Sequence, residues 1–81
     1  MAFKKIDSLQ YVVEWFPTGK ARCPTYTKVT VRIPGLGHTV AVGSIGGKLS
    51  QVDAKESFRK ERSRYKLDEV GAKLATDLRL L

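Results

Sequence analysis

The segment from Thr25 to Ile33 constrains the fold of this chain most strongly, because its polar and apolar residues alternate along almost its whole length. Alternation with a period of two is typical of a β-strand that has one buried and one solvent-facing side. The core side is predicted to carry Thr27, Val29, Val31 and Ile33, and the other side Tyr26, Lys28, Thr30 and Arg32. A strand of this kind needs neighbouring strands and a second layer that covers its apolar side.

A tight turn follows this strand and predicts a hairpin. Ile33-Pro34-Gly35-Leu36 has the residues of a type II turn, because proline presets φ at the second position and glycine accepts the positive φ at the third. The third strand is then expected from His38 to Ile45. Its residues are assigned by alternation, with Val40 and Val42 in the core and Thr39, Ala41 and Gly43 on the opposite face.

The first strand is predicted from Leu9 to Phe16, where aromatic and β-branched residues are frequent. The segment ends at Pro17-Thr18-Gly19, which interrupts a strand, and a helix is the alternative interpretation. We expect Trp15 and Phe16 to pack in the core or against the sheet. Strands one and two are joined by a long basic loop.

Helical signals begin after Gly46-Gly47-Lys48. Ser50 is a suitable N-cap for a helix from about Gln51 to Ser63. A spacing of three or four residues then predicts a second helix with a core-facing stripe made of Leu67, Val70, Leu74, Leu78 and Leu81. Phe58 lies half a turn out of phase with this stripe, so the pattern predicts two helices, or one sharply bent near Tyr65 to Leu67.

Together these elements predict a single small basic domain over residues 1–81, of the α+β class. We expect a three-stranded antiparallel sheet with one or two C-terminal helices packed on one face, in βββαα order. The helices would cover the face of Val29 and Val31, and the other face would stay open to solvent.

The composition excludes several classes of protein. Cys23 is the only cysteine, which rules out an internal disulfide and a multi-cysteine metal site. No segment approaches the roughly 20 apolar residues that span a bilayer, and the N-terminus lacks a signal-peptide pattern. His38 has no evident catalytic or ligand partner. We therefore expect an intracellular, cytoplasmic protein that is not an enzyme and has no membrane partner, metal or cofactor.

Positive charge is concentrated in two places along the chain. Fifteen Lys and Arg residues against eight Asp and Glu give a formal charge of +7. No acidic residue occurs between Glu14 and Asp53, and a second basic cluster runs from Arg59 to Lys66. Single-sign surfaces of this kind attract polyanions.

The glycine-rich segment before the first helix is a minor candidate. Gly43 to Leu49 lacks the first glycine and the Ser or Thr of a nucleotide-binding phosphate loop, so that site is rejected. Backbone amides beside Lys48 could still hold a phosphate.

Cations that alternate with hydroxyls and an aromatic ring suit a nucleic-acid backbone and its bases, so we expect a nucleic-acid-binding domain, with duplex DNA slightly preferred over RNA. The predicted contacts are Lys20, Arg22, Tyr26, Lys28, Thr30, Arg32, Lys48, Arg59, Arg62 and Arg64. The alternative is a small effector or assembly protein that binds an acidic surface of a partner protein. A homodimer formed through the leucine stripe is left open.

Overall fold

The computed structural model describes residues 8–81 and has the predicted α+β class. Four antiparallel strands form one sheet in the order β1 (Gln10–Pro17), β2 (Thr25–Arg32), β3 (Thr39–Gly46) and β4 (Lys66–Leu67). The helices are α1 (Gln51–Lys60) and α2 (Glu69–Asp77), and a short 3₁₀ helix (Arg62–Arg64) follows α1. The prediction of three strands is wrong, because β4 lies between the two helices and gives the order βββαβα.

The predicted hairpin between the second and third strands is confirmed. Gly35 has a φ of +85°, as the third position of a type II turn requires. The Ile33 carbonyl accepts a hydrogen bond from the Gly37 amide at 3.2 Å, and the Ile33 amide donates to the His38 carbonyl at 2.9 Å. The segment predicted as the first strand is β1, which pairs with β2 along its whole length.

One hydrophobic core lies on a single face of the sheet. Val29, Val31, Ile33 and Val40 are completely buried in it, as the sequence predicts. Helix α1 contributes Ala54 and Phe58 to this core, and α2 contributes Ala75. Thr27 is buried with them, and its hydroxyl donates to the Gly47 carbonyl at 2.6 Å.

A β-bulge reverses part of the face assignment in β3. Val31 pairs with Ala41, but Arg32 pairs with Thr39, so Val40 is the extra residue of β3. A one-residue shift moves the following side chains to the other face. Ala41 and Gly43 therefore pair with core residues of β2 and are buried, whereas Val42 pairs with Thr30 on the opposite face. The predictions for Ala41, Gly43 and Val42 are wrong for this reason.

The phase break between the helices is confirmed. The Ser50 hydroxyl accepts from the Asp53 amide at 3.2 Å and begins α1, which ends at Lys60. The chain then passes through the 3₁₀ helix to the buried Tyr65, whose ring lies directly over Gly43. β4 follows, so the two helices are separate elements.

Helix α2 packs through small residues, and the predicted leucine stripe is largely exposed. Val70 is 66% exposed, Leu67 47% and Leu78 40%. Gly71 and Ala75 are the buried residues of this helix. A methyl group on Gly71 would stand 1.8 Å from the Thr39 carbonyl oxygen, so the missing side chain lets α2 lie close to β3. Only Leu74 and Leu81 of the stripe pack against the core, and both are partly buried.

Candidate functional site

The sheet face opposite the core is the candidate interface, and we call it the open face. Directly paired residues of antiparallel strands project to the same side, so the register assigns its members. It consists of Gln10, Val12, Glu14 and Phe16 of β1, Tyr26, Lys28, Thr30 and Arg32 of β2, Thr39, Val42, Ser44 and Gly46 of β3, and Lys66 of β4. The core helices lie on the other side, so neither α1 nor α2 covers this face within residues 8–81.

Three cations lie on the open face. Lys28 and Arg32 belong to the central strand β2, as predicted. Lys66 joins them because β4 pairs it with Val42, although in the sequence it ends the basic cluster that begins at Arg59. The signal for its position is the alternation Tyr65-Lys66-Leu67, in which a lysine stands between two apolar residues at strand spacing.

Glu14 is an acidic member of the open face. It pairs directly with Lys28, so its carboxylate offsets part of the positive charge at the centre of the sheet. The acid-free stretch in the sequence begins just after this residue, and strand pairing places it beside the cations that follow. The open face is therefore basic but not of a single sign.

An aromatic pair occupies the end of the open face next to the β1–β2 loop. The Phe16 and Tyr26 rings stack with centroids 5.4 Å apart and planes 24° from parallel. Gly46 pairs with Tyr26 on the other side, and the Cys23 sulfur lies 3.3 Å from where a Gly46 side chain would start. The loop that carries Lys20 and Arg22 therefore folds over the open face at this end. Phe16 packs on the sheet, whereas Trp15, on the core side, is 50% exposed.

Lys48 does not belong to the open face. The Lys48 ammonium lies over the Trp15 ring, 4.4 Å from its centroid, and Trp15 pairs with the buried Thr27 on the core side. The Gly47 amide donates to the Thr25 carbonyl at 2.8 Å, and the Leu49 amide donates to the Thr27 hydroxyl at 2.9 Å. These two amides are therefore bonded within the protein and are not free to contact a phosphate.

Arg59 in the second half of α1 and Arg62 in the 3₁₀ helix lie on the side of the sheet that carries the helices, which we call the helix side. The Arg62 guanidinium is 5.7 Å from the centroid of the Phe58 ring, which is buried in the core. Arg64 forms a 3.6 Å ion pair with Glu61. Because α1 packs against the core face, its outward cations point away from Lys28 and Arg32. The structure thus separates Arg59 and Arg62 from the open face, whereas Arg64 comes two residues before Lys66 of β4.

Arg59 and Arg62 influence the ionisation of Tyr11. Burial raises the pKa of the Tyr11 phenol above its ordinary value of 10.0, while the positive charges of Arg59 and Arg62 lower it. Replacing both arginines with alanine should therefore raise the pKa of Tyr11 further, measured by the NMR shift of its ring across an alkaline titration. An unchanged or lower pKa would contradict this placement of the guanidinium groups.

The raised pKa of Tyr11 also determines whether the stability of the protein rises or falls with pH. The unfolded phenol ionises near pH 10.0, before the folded one does, so the free energy of unfolding should fall as pH rises above that value.

No three His, Cys, Asp or Glu residues come together as a metal site in the part of the chain that the structure describes. Neither described helix is long and apolar enough to cross a membrane. Comparison with protein-family models, with curated proteins and with solved structures finds no match to this chain. Its function is therefore argued from the geometry of the open face.

Proposed function

We propose that this protein binds nucleic acid through the open face and the β1–β2 loop, without catalysing a reaction. The observation that carries the proposal is the arrangement of Lys28, Arg32 and Lys66 on one sheet face that neither described helix covers. Lysine and arginine neutralise phosphates, and the hydroxyls of Thr30 and Ser44 between them can donate hydrogen bonds to phosphate oxygens. Lys20 and Arg22 extend this positive surface beyond the end of the strands.

The cations of the helix side are less available to an anionic ligand. Lys60 is held by Glu56 at 2.8 Å and Arg64 by Glu61 at 3.6 Å, so part of their charge is neutralised. Arg62 lies against the Phe58 ring. The proposal therefore assigns nucleic-acid contacts to the sheet and its loop, and excludes Lys48, Arg59, Arg62 and Arg64.

Two double variants with the same change in charge test this assignment. Lys28→Ala with Arg32→Ala should weaken binding to a labelled oligonucleotide about 30-fold, because two charge-assisted contacts of about 1 kcal/mol each are lost. Arg59→Ala with Arg62→Ala also removes two positive charges, but from the opposite side, and should change the affinity about twofold or less. Fluorescence anisotropy measures both, and circular dichroism checks that both variants fold. Equal losses in the two variants, or no binding by the unaltered protein, would rule out the proposal.

Binding to an acidic partner protein is the second candidate. The open face is chemically mixed, as protein interfaces are, because Glu14 lies beside Lys28 and because apolar Val12 and Val42 flank Thr30. A stoichiometric acidic partner that is retained after nuclease treatment, and lost in the Lys28 and Arg32 double variant, would favour this function. If the same protein also failed to bind any oligonucleotide, binding to an acidic partner would be favoured over nucleic-acid binding.

A further inference from the structure

The open face is organised in cross-strand rows of different chemistry. The row nearest the β1–β2 loop contains Phe16, Tyr26 and Gly46. The next contains Glu14, Lys28 and Ser44, and the one after it Val12, Thr30 and Val42, with Lys66 at the edge. Successive rows are roughly 7 Å apart, two residues along a strand. An aromatic row, a charged row and an apolar row therefore follow one another over a short distance.

Both rings of the aromatic row are only partly buried. Phe16 stacks against one side of Tyr26, and the residue on the other side is Gly46, which has no side chain. The Cys23 sulfur, 3.3 Å from where a Gly46 side chain would start, fills the space above Gly46. Tyr26 is only partly buried although it lies on a central strand. A flat group could stack on the exposed part of the Phe16–Tyr26 pair, at the β1 edge of the sheet, while its phosphates lie near Lys28.

Duplex and single-stranded nucleic acids differ in what they offer to such a surface. In a duplex each base is paired and stacked on both sides, so its face cannot lie against a protein ring. In a single strand the bases are free to stack on aromatic side chains while the backbone follows the cations. Apolar Val12 and Val42 on the open face likewise suit exposed bases better than the charged exterior of a duplex.

We propose that the open face binds single-stranded nucleic acid, with one base stacked on the Phe16–Tyr26 pair and with the backbone crossing Lys28. This inference rests on the proposed function and names its ligand class. It replaces the duplex preference expected from the sequence. It does not require a particular base, because every base has a face that can stack.

The ligands themselves test the proposal on the unaltered protein. Oligothymidine should bind about tenfold more tightly than an abasic oligomer of the same length, since only the abasic chain lacks a stacking partner. It should also bind more tightly than a duplex of that length. A duplex carries one charge per roughly 1.7 Å against 3.4 Å for each of its strands, so electrostatic attraction alone would favour the duplex. Equal affinity for oligothymidine and the abasic oligomer, or tighter binding of the duplex, would overturn the inference.

Two substitutions locate the stacked base. Tyr26→Leu should lower the affinity for oligothymidine about tenfold, to the level of the abasic oligomer, and should leave the abasic affinity unchanged. Tyr26→Phe keeps the ring and should bind oligothymidine within about twofold of the unaltered protein. A Tyr26→Leu protein that folds and keeps full preference for oligothymidine would place the base elsewhere and overturn the inference. Absence of binding to all three ligands would instead disprove the proposed function itself.

Discussion

Raising the salt concentration from roughly 50 to 200 mM should weaken binding of a single-stranded oligonucleotide about 130-fold. The estimate assumes that five cations each neutralise one phosphate: Lys20, Arg22, Lys28, Arg32 and Lys66. Each neutralised phosphate releases counterions, and for a single strand the log-log slope is about −0.7 per phosphate, or roughly −3.5 in total. The same five contacts on a duplex would give a slope near −4.5 and a loss of about 500-fold.

The two charge-matched variants show which cations produce this slope. Without Lys28 and Arg32, three contacts remain, so the slope should fall to about −2 and the loss over the same salt range to about 20-fold. The variant lacking Arg59 and Arg62 should keep the full slope. Anisotropy titrations at several salt concentrations measure each value. A flat titration would exclude phosphate contacts, and a slope reduced only in the Arg59 and Arg62 variant would move the interface to the helix side.

Local signals made β2 and its turn predictable. The alternation of Thr25 to Arg32 depends on residues two apart, and the Pro34-Gly35 turn depends on adjacent residues, so no distant contact was needed to recognise either. The same alternation correctly placed Lys28 and Arg32 on the side away from the core. These two residues are also the centre of the candidate site.

The β3 assignment failed because alternation cannot locate a bulge. One extra residue at Val40 exchanges the faces of Ala41 and Val42, and no residue type in this segment marks the position. Only the folded structure reveals the bulge, because Val40 and Ala41 are adjacent in sequence and yet both are completely buried. Its effect on the site is direct, because Val42 becomes an apolar member of the open face.

The sequence could have indicated that the two basic clusters lie on different sides of the sheet. A helix that covers the core face must point its solvent side away from the open face, so Arg59 of α1 could not share a surface with Lys28 and Arg32. Charge counted along the sequence carries no information about the layer in which a residue lies. Lys66 shows that residues close in sequence can also lie on different sides: it follows the arginines, but the pairing of β4 with β3 places it on the open face.

Gly71→Ala should destabilise the protein by about 3 kcal/mol, at the upper end of the usual cost of overpacking. The added methyl group would stand 1.8 Å from the Thr39 oxygen and 2.6 Å from its carbonyl carbon. Both are backbone atoms of β3, so no side chain can rotate to make room and α2 itself must move. The capping bond from the Gly71 amide to Asp68, 2.9 Å long, and the 2.9 Å bond from the Asp68 amide to the Val40 carbonyl hold the helix at this position.

Whether Gly71→Ala destabilises or stabilises the protein distinguishes the observed packing of α2 from a packing in which the leucine stripe faces the core. If the stripe faced the core, its centre would lie about 60° around the helix from Gly71, so a methyl group there would not be directed at the β3 backbone. Gly71→Ala would then stabilise the helix by up to about 1 kcal/mol through its better helix propensity. Val70→Ala would then cost about 1 to 2 kcal/mol, because a buried side chain would be truncated. The structure predicts the opposite, since Val70 is 66% exposed and its truncation should change the free energy of unfolding by about 0.5 kcal/mol or less. Urea unfolding of the two single variants measures both values, and a stabilising Gly71→Ala together with a costly Val70→Ala would contradict the contact between α2 and β3.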